Sequence, residues 1–85
     1  MIKNRIEKAV KDRVFAVVRE VLAIEGEIDL EASIVDELAP ESLDQVRLFM
    51  TLEDEFGGTI PDEEVENIAT LSQVISYIER RMAGA

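Results

Sequence analysis

Residues 40–46, Pro40-Glu41-Ser42-Leu43-Asp44-Gln45-Val46, mark the place where an extended approach turns into a helix. The residue before a proline is pushed out of the helical region, so the chain arrives extended. Ser42 followed by Gln45 has the spacing of a capping box. In that arrangement the serine oxygen accepts from the N3 backbone N–H, and Gln45 reaches back to the Ser42 N–H. Ser42 is on this reading a helix N-cap. A second reading makes its hydroxyl a covalent attachment point. A phosphodiester there would sit against unpaired N–H groups and the positive end of the helix dipole. The two readings are compatible, and the rest of the chain has to decide between them.

Downstream, the pattern predicts a helix from about Leu43 to Phe56, closed by Gly57-Gly58. Its apolar residues form two stripes on a helical wheel. Leu48, Phe49, Leu52 and Phe56 make one, and Leu43, Val46 and Met50 make the other. One stripe is enough to attach a helix to a small core. The second either packs against the preceding loop or faces a partner; rimmed by Asp44, Glu53 and Asp54, it reads as a protein-docking patch with an adaptable methionine.

Upstream, Ile6, Val10, Val14, Val17, Val21 and Ile24 recur in steps of four and three. They predict a first helix over about Ile2–Ile24, with Gly26 as its stop. Lys3, Arg5, Lys8, Lys11 and Arg13 crowd its first turns, against the usual dipole preference. Residues 25–41 lack sustained periodicity. A connection of that length in a small domain is usually functional or carries short helical turns. Ile28, Leu30, Ile34, Val35 and Leu38 are expected to anchor it so that it presents Ser42 at an exposed corner. Beyond Thr59-Ile60-Pro61, Asp62 is expected to cap a short helix through Asn67. Thr70 is expected to cap a last helix from Leu71 to about Met82, with Leu71, Val74, Ile75 and Ile78 inward, Tyr77 at the edge and Ala83-Gly84-Ala85 frayed.

Eighty-five residues make one small domain, spanning 1–85, which buries only about 60–65% of its unfolded surface. The net charge is −10, with neither histidine nor cysteine. This charge argues against nucleic acid and anionic membranes as partners, and for proteins with basic faces. The missing residue types remove the His base, the Cys nucleophile, the Ser-His-Asp set and any Cys-based metal site. The reading is a carried or bound object, with no catalytic residues and no resident metal. Lack of cysteine suits a reducing, cytoplasmic setting. No secretory signal is visible at Met1-Ile2-Lys3-Asn4-Arg5, and no apolar run reaches the ~20 residues of a membrane span.

Read in order, Ala32-Ser33-Ile34-Val35-Asp36-Glu37-Leu38, Glu41-Ser42-Leu43-Asp44, Leu52-Glu53-Asp54-Glu55-Phe56, Ile60-Pro61-Asp62-Glu63-Glu64 and Tyr77-Ile78 resemble an acyl carrier protein over nearly the whole chain. The resemblance implies an all-α, four-helix bundle with three main helices, a short third helix and a long first loop. It implies that Ser42 carries a 4′-phosphopantetheine arm transferred from coenzyme A, whose thiol holds an acyl group as a thioester. It places the acyl chain near Phe49, Leu52, Ile60, Val65 and Ile68. A phosphopantetheinyl transferase and acyl-loading and acyl-transfer enzymes with basic faces would meet Glu41, Leu43, Asp44, Val46, Arg47, Met50, Glu53 and Asp54. The implied setting is fatty acid or lipid biosynthesis, with the carrier a monomer.

The chain departs from the family pattern at Glu41, where an aspartate is usual, at Ala39-Pro40, where Gly-Ala or Gly-x is usual, and at Arg47, where an acid is common. These departures bear on partner choice and point to a specialised carrier. Polyketide, aminoacyl and peptidyl carriers share the serine and the fold and remain alternatives, as does a plain helical adaptor with an unmodified Ser42. An EF-hand counted from Glu53 has Glu55, Gly58, Ile60 and Glu64 at fitting positions. It fails at Glu53 itself, at Gly57 and at Pro61. On the wheel Arg47 lies beside Asp54. It either rejects partners that carry like charge or forms an ordinary surface ion pair.

Overall fold

The computed structural model describes residues 2–84, with side chains described for residues 10–83. The order is α1 (Ile2–Leu22), a single wide π-type turn (Ile34–Leu38), α2 (Ser42–Phe56), α3 (Asp62–Asn67) and α4 (Leu71–Gly84). This is the expected all-α bundle of three long helices, a short third one and a long first connection. The expected contribution of Ile6 and the basic cluster of Lys3, Arg5 and Lys8 lie outside the described side chains, as does Ala85.

α1 packs against both α2 and α4. Val10, Val14, Val17 and Val18 are buried along one face, and Val21 and Leu22 are half-buried beyond them. Valine is a mediocre helix former, so this burial is what holds the helix. The helix stops at Leu22, two residues short of the expected Ile24, and Gly26 is not its stop. Ala23 takes the left-handed conformation instead (φ 54°), the only described non-glycine residue with positive φ. That conformation costs a non-glycine residue roughly 1–2 kcal/mol. Ile24, half-buried immediately after it, shows what the turn gains. Arg19 Nη1 then donates to the Gly26 carbonyl (2.6 Å) and folds the loop back onto the helix.

The long connection is tied near its middle to the start of α4. The Ile34 N–H donates to the Ala69 carbonyl (2.8 Å), and the Ser72 N–H to the Leu30 carbonyl (3.0 Å). Ile34 is buried and Ile28, Leu30 and Leu38 are half-buried, as expected of anchors. Val35 is not an anchor: it is 51% exposed, because the π turn directs it away from the core that holds Ile34. That turn is wide because the Leu38 and Ala39 N–H groups reach five residues back, to the Ser33 and Ile34 carbonyls. Ser33 starts it with a reciprocal cap. Its Oγ accepts from the Asp36 N–H (3.1 Å), while its own N–H donates to Glu37 Oε2 (3.0 Å).

α2 buries Leu48 and Leu52 completely and half-buries Phe49 and Phe56. Gly57 ends it in the left-handed conformation (φ 69°), and the Gly57 and Gly58 N–H groups both donate to the Glu53 carbonyl. Asp62 does not cap α3. It is the first helical residue, and Pro61 occupies the cap position, its carbonyl accepting from Glu64 and Val65. Asp62, Glu63 and Glu64 fill the first turn, where acids are favoured by the positive end of the helix dipole. α4 has the expected cap: Thr70 Oγ1 accepts from the Gln73 N–H (3.3 Å), and Gln73 Oε1 returns to the Thr70 N–H (3.2 Å). Leu71, Val74, Ile75 and Ile78 point inward as expected. Tyr77 is also buried, its hydroxyl accepting from Arg81 (2.6 Å). α4 continues through Gly84, past the expected end at Met82.

A free serine hydroxyl at the start of the second helix

The expected capping box at Ser42 does not form. Glu41 holds the cap position with extended backbone (φ −88°, ψ 136°), and Ser42 is the first helical residue. Gln45 turns the other way: its Nε2 donates to the Ala39 carbonyl (2.9 Å). Ala39 is itself buried, with its N–H bound to the Ile34 carbonyl (2.6 Å). Gln45 therefore fastens the last residue of the approach, and Pro40 and Glu41 run on from it to Ser42. Ser42 is exposed, and its hydroxyl has no hydrogen-bond partner among the described residues. The N–H groups of Ser42, Leu43 and Asp44 likewise have no protein acceptor. A hydroxyl beside three unclaimed donors at the positive end of a 15-residue helix suits an attached phosphate.

Behind this corner lies a cleft of about 420 Å³ between α2, α3 and the π turn. Phe49, Ile60, Val65 and Ile68, four of the five residues named for an acyl pocket, line it. Leu52 does not: it faces the core and a smaller cavity of about 240 Å³ near the end of α4, shared with Phe56, Tyr77 and Arg81. Only the larger cleft falls in the usual size range of ligand sites. The cleft also includes Ile34, Val35 and Gln45, which the sequence reading did not place there. Val35 carried no signal, because the π turn that directs it is not visible as a periodicity.

Leu43, Val46 and Met50 stand 67%, 54% and 59% exposed, so the second stripe of α2 packs on nothing. Val46 and Met50 line the cleft as well, making the apolar patch continuous with its mouth. Glu41 and Asp54 lie exposed around it, with Asp44 half-buried beside them. Glu53 departs from the expected rim. It is half-buried, and its Oε2 accepts from the Ile60 N–H (2.7 Å), fixing the loop that closes the cleft. Arg47 does not lie against Asp54; its nearest acid is Asp44, one turn back, at 3.6 Å. Among the described residues no three acids converge to hold a metal ion, and no helix is long and apolar enough to cross a membrane.

The family model for a phosphopantetheine attachment site matches residues 12–78. That span includes the second half of α1 and runs through the Ser42 corner and the cleft into α4. A solved structure described as "a putative acyl carrier protein" from Mycobacterium tuberculosis superposes with a TM-score of 0.72 at 28% identity, over 79% of this chain and 90% of that one. Proteins of this kind interact with phosphopantetheinyl transferases and with the enzymes that use the arm. From the match over most of its length, the chain belongs to the acyl-carrier-type proteins whose phosphopantetheine-binding domain is the site of covalent 4′-phosphopantetheine attachment.

Proposed function

We propose that this chain is an acyl carrier protein in which Ser42 bears the arm and residues 1–85 act as one carrier domain. The observation that carries the assignment is the exposed Ser42 hydroxyl, which is without a partner at the first position of α2. When bound, the arm supplies a thiol that holds acyl groups as thioesters. The chain's own part is to position and shelter. Gln45 holds the approach through Ala39, the Leu43 and Asp44 N–H groups face the phosphate position, and Phe49, Ile60, Val65 and Ile68 offer an apolar slot beside it.

Eight of the twelve residues lining that slot are apolar, against Gln45, Glu53, Asp62 and Glu66. This balance favours an acyl load over an aminoacyl or peptidyl one, and with it a role in fatty acid or lipid biosynthesis. The charge of −10 and the exposed Leu43/Val46/Met50 patch fit enzymes with basic docking faces, the phosphopantetheinyl transferase among them. On this reading the protein is a cytoplasmic monomer that presents substrates and catalyses nothing itself. The test is intact mass after incubation with coenzyme A and a phosphopantetheinyl transferase. A gain of one phosphopantetheine on the wild type, absent in Ser42→Ala, is expected. No gain on the wild type, or a gain that persists in the variant, overturns the assignment.

A further inference from the structure

Arg47 is the only basic residue between Arg19 and Arg80, a span that holds most of the chain's 19 acids. It stands on the face of α2 that the fold leaves unpacked, next to Val46 and one turn from Leu43 and Met50. Its side chain is 56% exposed. Other arginines are built into the fold: Arg13, Arg19 and Arg81 each donate to a backbone carbonyl of another segment. Arg47 donates to none among the described residues. At 3.6 Å its approach to Asp44 is longer than a hydrogen bond, and between two exposed side chains it is a weak tie.

The acids around it are not equivalent. Glu53 is engaged at Ile60, Glu55 at Arg13 and Asp44, more weakly, at Arg47 itself. That leaves Glu41 and Asp54 exposed along α2, and Asp62 and Glu66 exposed across the cleft from Val46 and Met50. The face therefore carries a specific pattern: exposed Leu43, Val46 and Met50, acids about them, and one cation set among them. A partner rim that is basic throughout would complement the acids and would place a like charge on Arg47 as the interface dries. Juxtaposed like charges of this kind reject a partner, whereas a carboxylate can take a guanidinium in a two-point pair that also fixes the register of the helix.

We propose that Arg47 is a partner-specificity residue, and that the enzymes this carrier serves present an acidic side chain opposite it within an otherwise basic rim. The inference rests on the reading of Ser42 as the attachment site. It is tested on the full chain with coenzyme A and a phosphopantetheinyl transferase whose docking rim is wholly basic, by comparing transfer to the wild type, Arg47→Gln and Arg47→Glu. KM is expected to fall stepwise from Arg to Gln to Glu, by roughly tenfold in all, with kcat unchanged and the differences shrinking as salt is raised. Changing the transferase's rim Lys and Arg residues to Glu one at a time is expected to reveal one position that reverses the order, so that the wild type surpasses Arg47→Glu. Thermal melts of the three carriers establish that folding is the same. Modification of Ser42 with one KM for all three overturns this inference alone. So does a rim scan in which no position reverses the order, and the weak pair with Asp44 would then be the whole role of Arg47. Absence of modification in every variant overturns the attachment reading and this inference with it.

Discussion

Gln45 donates its side-chain amide to the Ala39 carbonyl at 2.9 Å, and Ser42, three residues before it, is left with an unshared hydroxyl. Ser42 is already helical, and the Gln45 N–H that its oxygen would have accepted from donates instead to the Glu41 carbonyl at 3.1 Å. Loss of the serine oxygen therefore removes no cap. Ser42→Ala is expected to abolish pantetheinylation while shifting stability by no more than about 0.5 kcal/mol, the range of an ordinary surface substitution. Gln45→Ala removes a part-buried hydrogen bond and is expected to cost about 0.5–1.5 kcal/mol. It should also slow transfer to Ser42, because the approach through Ala39 is loosened. Urea melts and intact mass time courses on both variants check this; a loss above 1 kcal/mol in Ser42→Ala would show that the hydroxyl does cap α2.

The two adjacent glycines after α2 make unequal demands. Gly57 has φ +69°, whereas Gly58 does not lie in the left-handed region, and a Cβ added at either meets no atom within 4 Å. Any difference between them is thus backbone strain, not crowding. Gly57→Ala is expected to destabilise by roughly 1–2 kcal/mol. Gly58→Ala is expected to be neutral or to stabilise by up to about 1 kcal/mol, through a less disordered unfolded chain. Denaturant midpoints of the pair measure this directly, and equal losses would refute the conformational assignment.

How far the sequence could be read follows from which physical signals are local. Helical periodicity placed α2 and α4 closely, because Leu48, Leu52, Leu71 and Val74 repeat at the spacing that burial needs. It also separated the exposed Leu43/Val46/Met50 stripe from the buried one. Thr70-x-x-Gln73 and Ser42-x-x-Gln45 are the same pattern in sequence, yet only the first forms a capping box. The difference is that α2 begins at Ser42, with the Glu41 carbonyl taking the Gln45 N–H, while the path of the long loop brings the Ala39 carbonyl within reach of the Gln45 side chain. Val35 and Glu53 were misplaced for the same reason. Each one's direction is set by a turn or a loop contact that periodicity does not encode.

The acids of residues 53–66 lie close along the end of α2 and on α3, and only two ion pairs occur among the described side chains. Self-repulsion of a −10 domain is therefore left to solvent screening. Raising monovalent salt from about 10 mM to about 150 mM, which shortens the screening length from about 30 Å to about 8 Å, is expected to raise Tm. Millimolar magnesium is expected to do the same without a stoichiometric binding step, since no metal-holding cluster exists among the described residues. Calorimetric melts and a magnesium titration test both parts. A Tm indifferent to salt would mean that the fold is not limited by charge.

Arg13 joins α1 to the end of α2 by three contacts at once. Its Nε meets Glu55 Oε2 at 2.7 Å, its Nη2 donates to the Glu55 carbonyl at 2.5 Å, and its guanidinium lies 4.4 Å from the centre of the Phe56 ring. The carbonyl is one of the unpaired acceptors at the negative end of α2, so a cation there also meets the helix dipole. Both charged side chains are 39% exposed, which holds the ion pair itself to about 0–1 kcal/mol. Stacking on Phe56 adds about 0.5–1 kcal/mol at such a site. Arg13→Ala is accordingly expected to lose roughly 1–2 kcal/mol. Arg13→Lys keeps the charge but has neither the fork that spans carboxylate and carbonyl nor the flat face that covers the ring, so it should recover less than half of that loss. Chemical denaturation of the two variants distinguishes geometry from charge. A lysine variant as stable as the wild type would mean that the charge alone fastens the two helices.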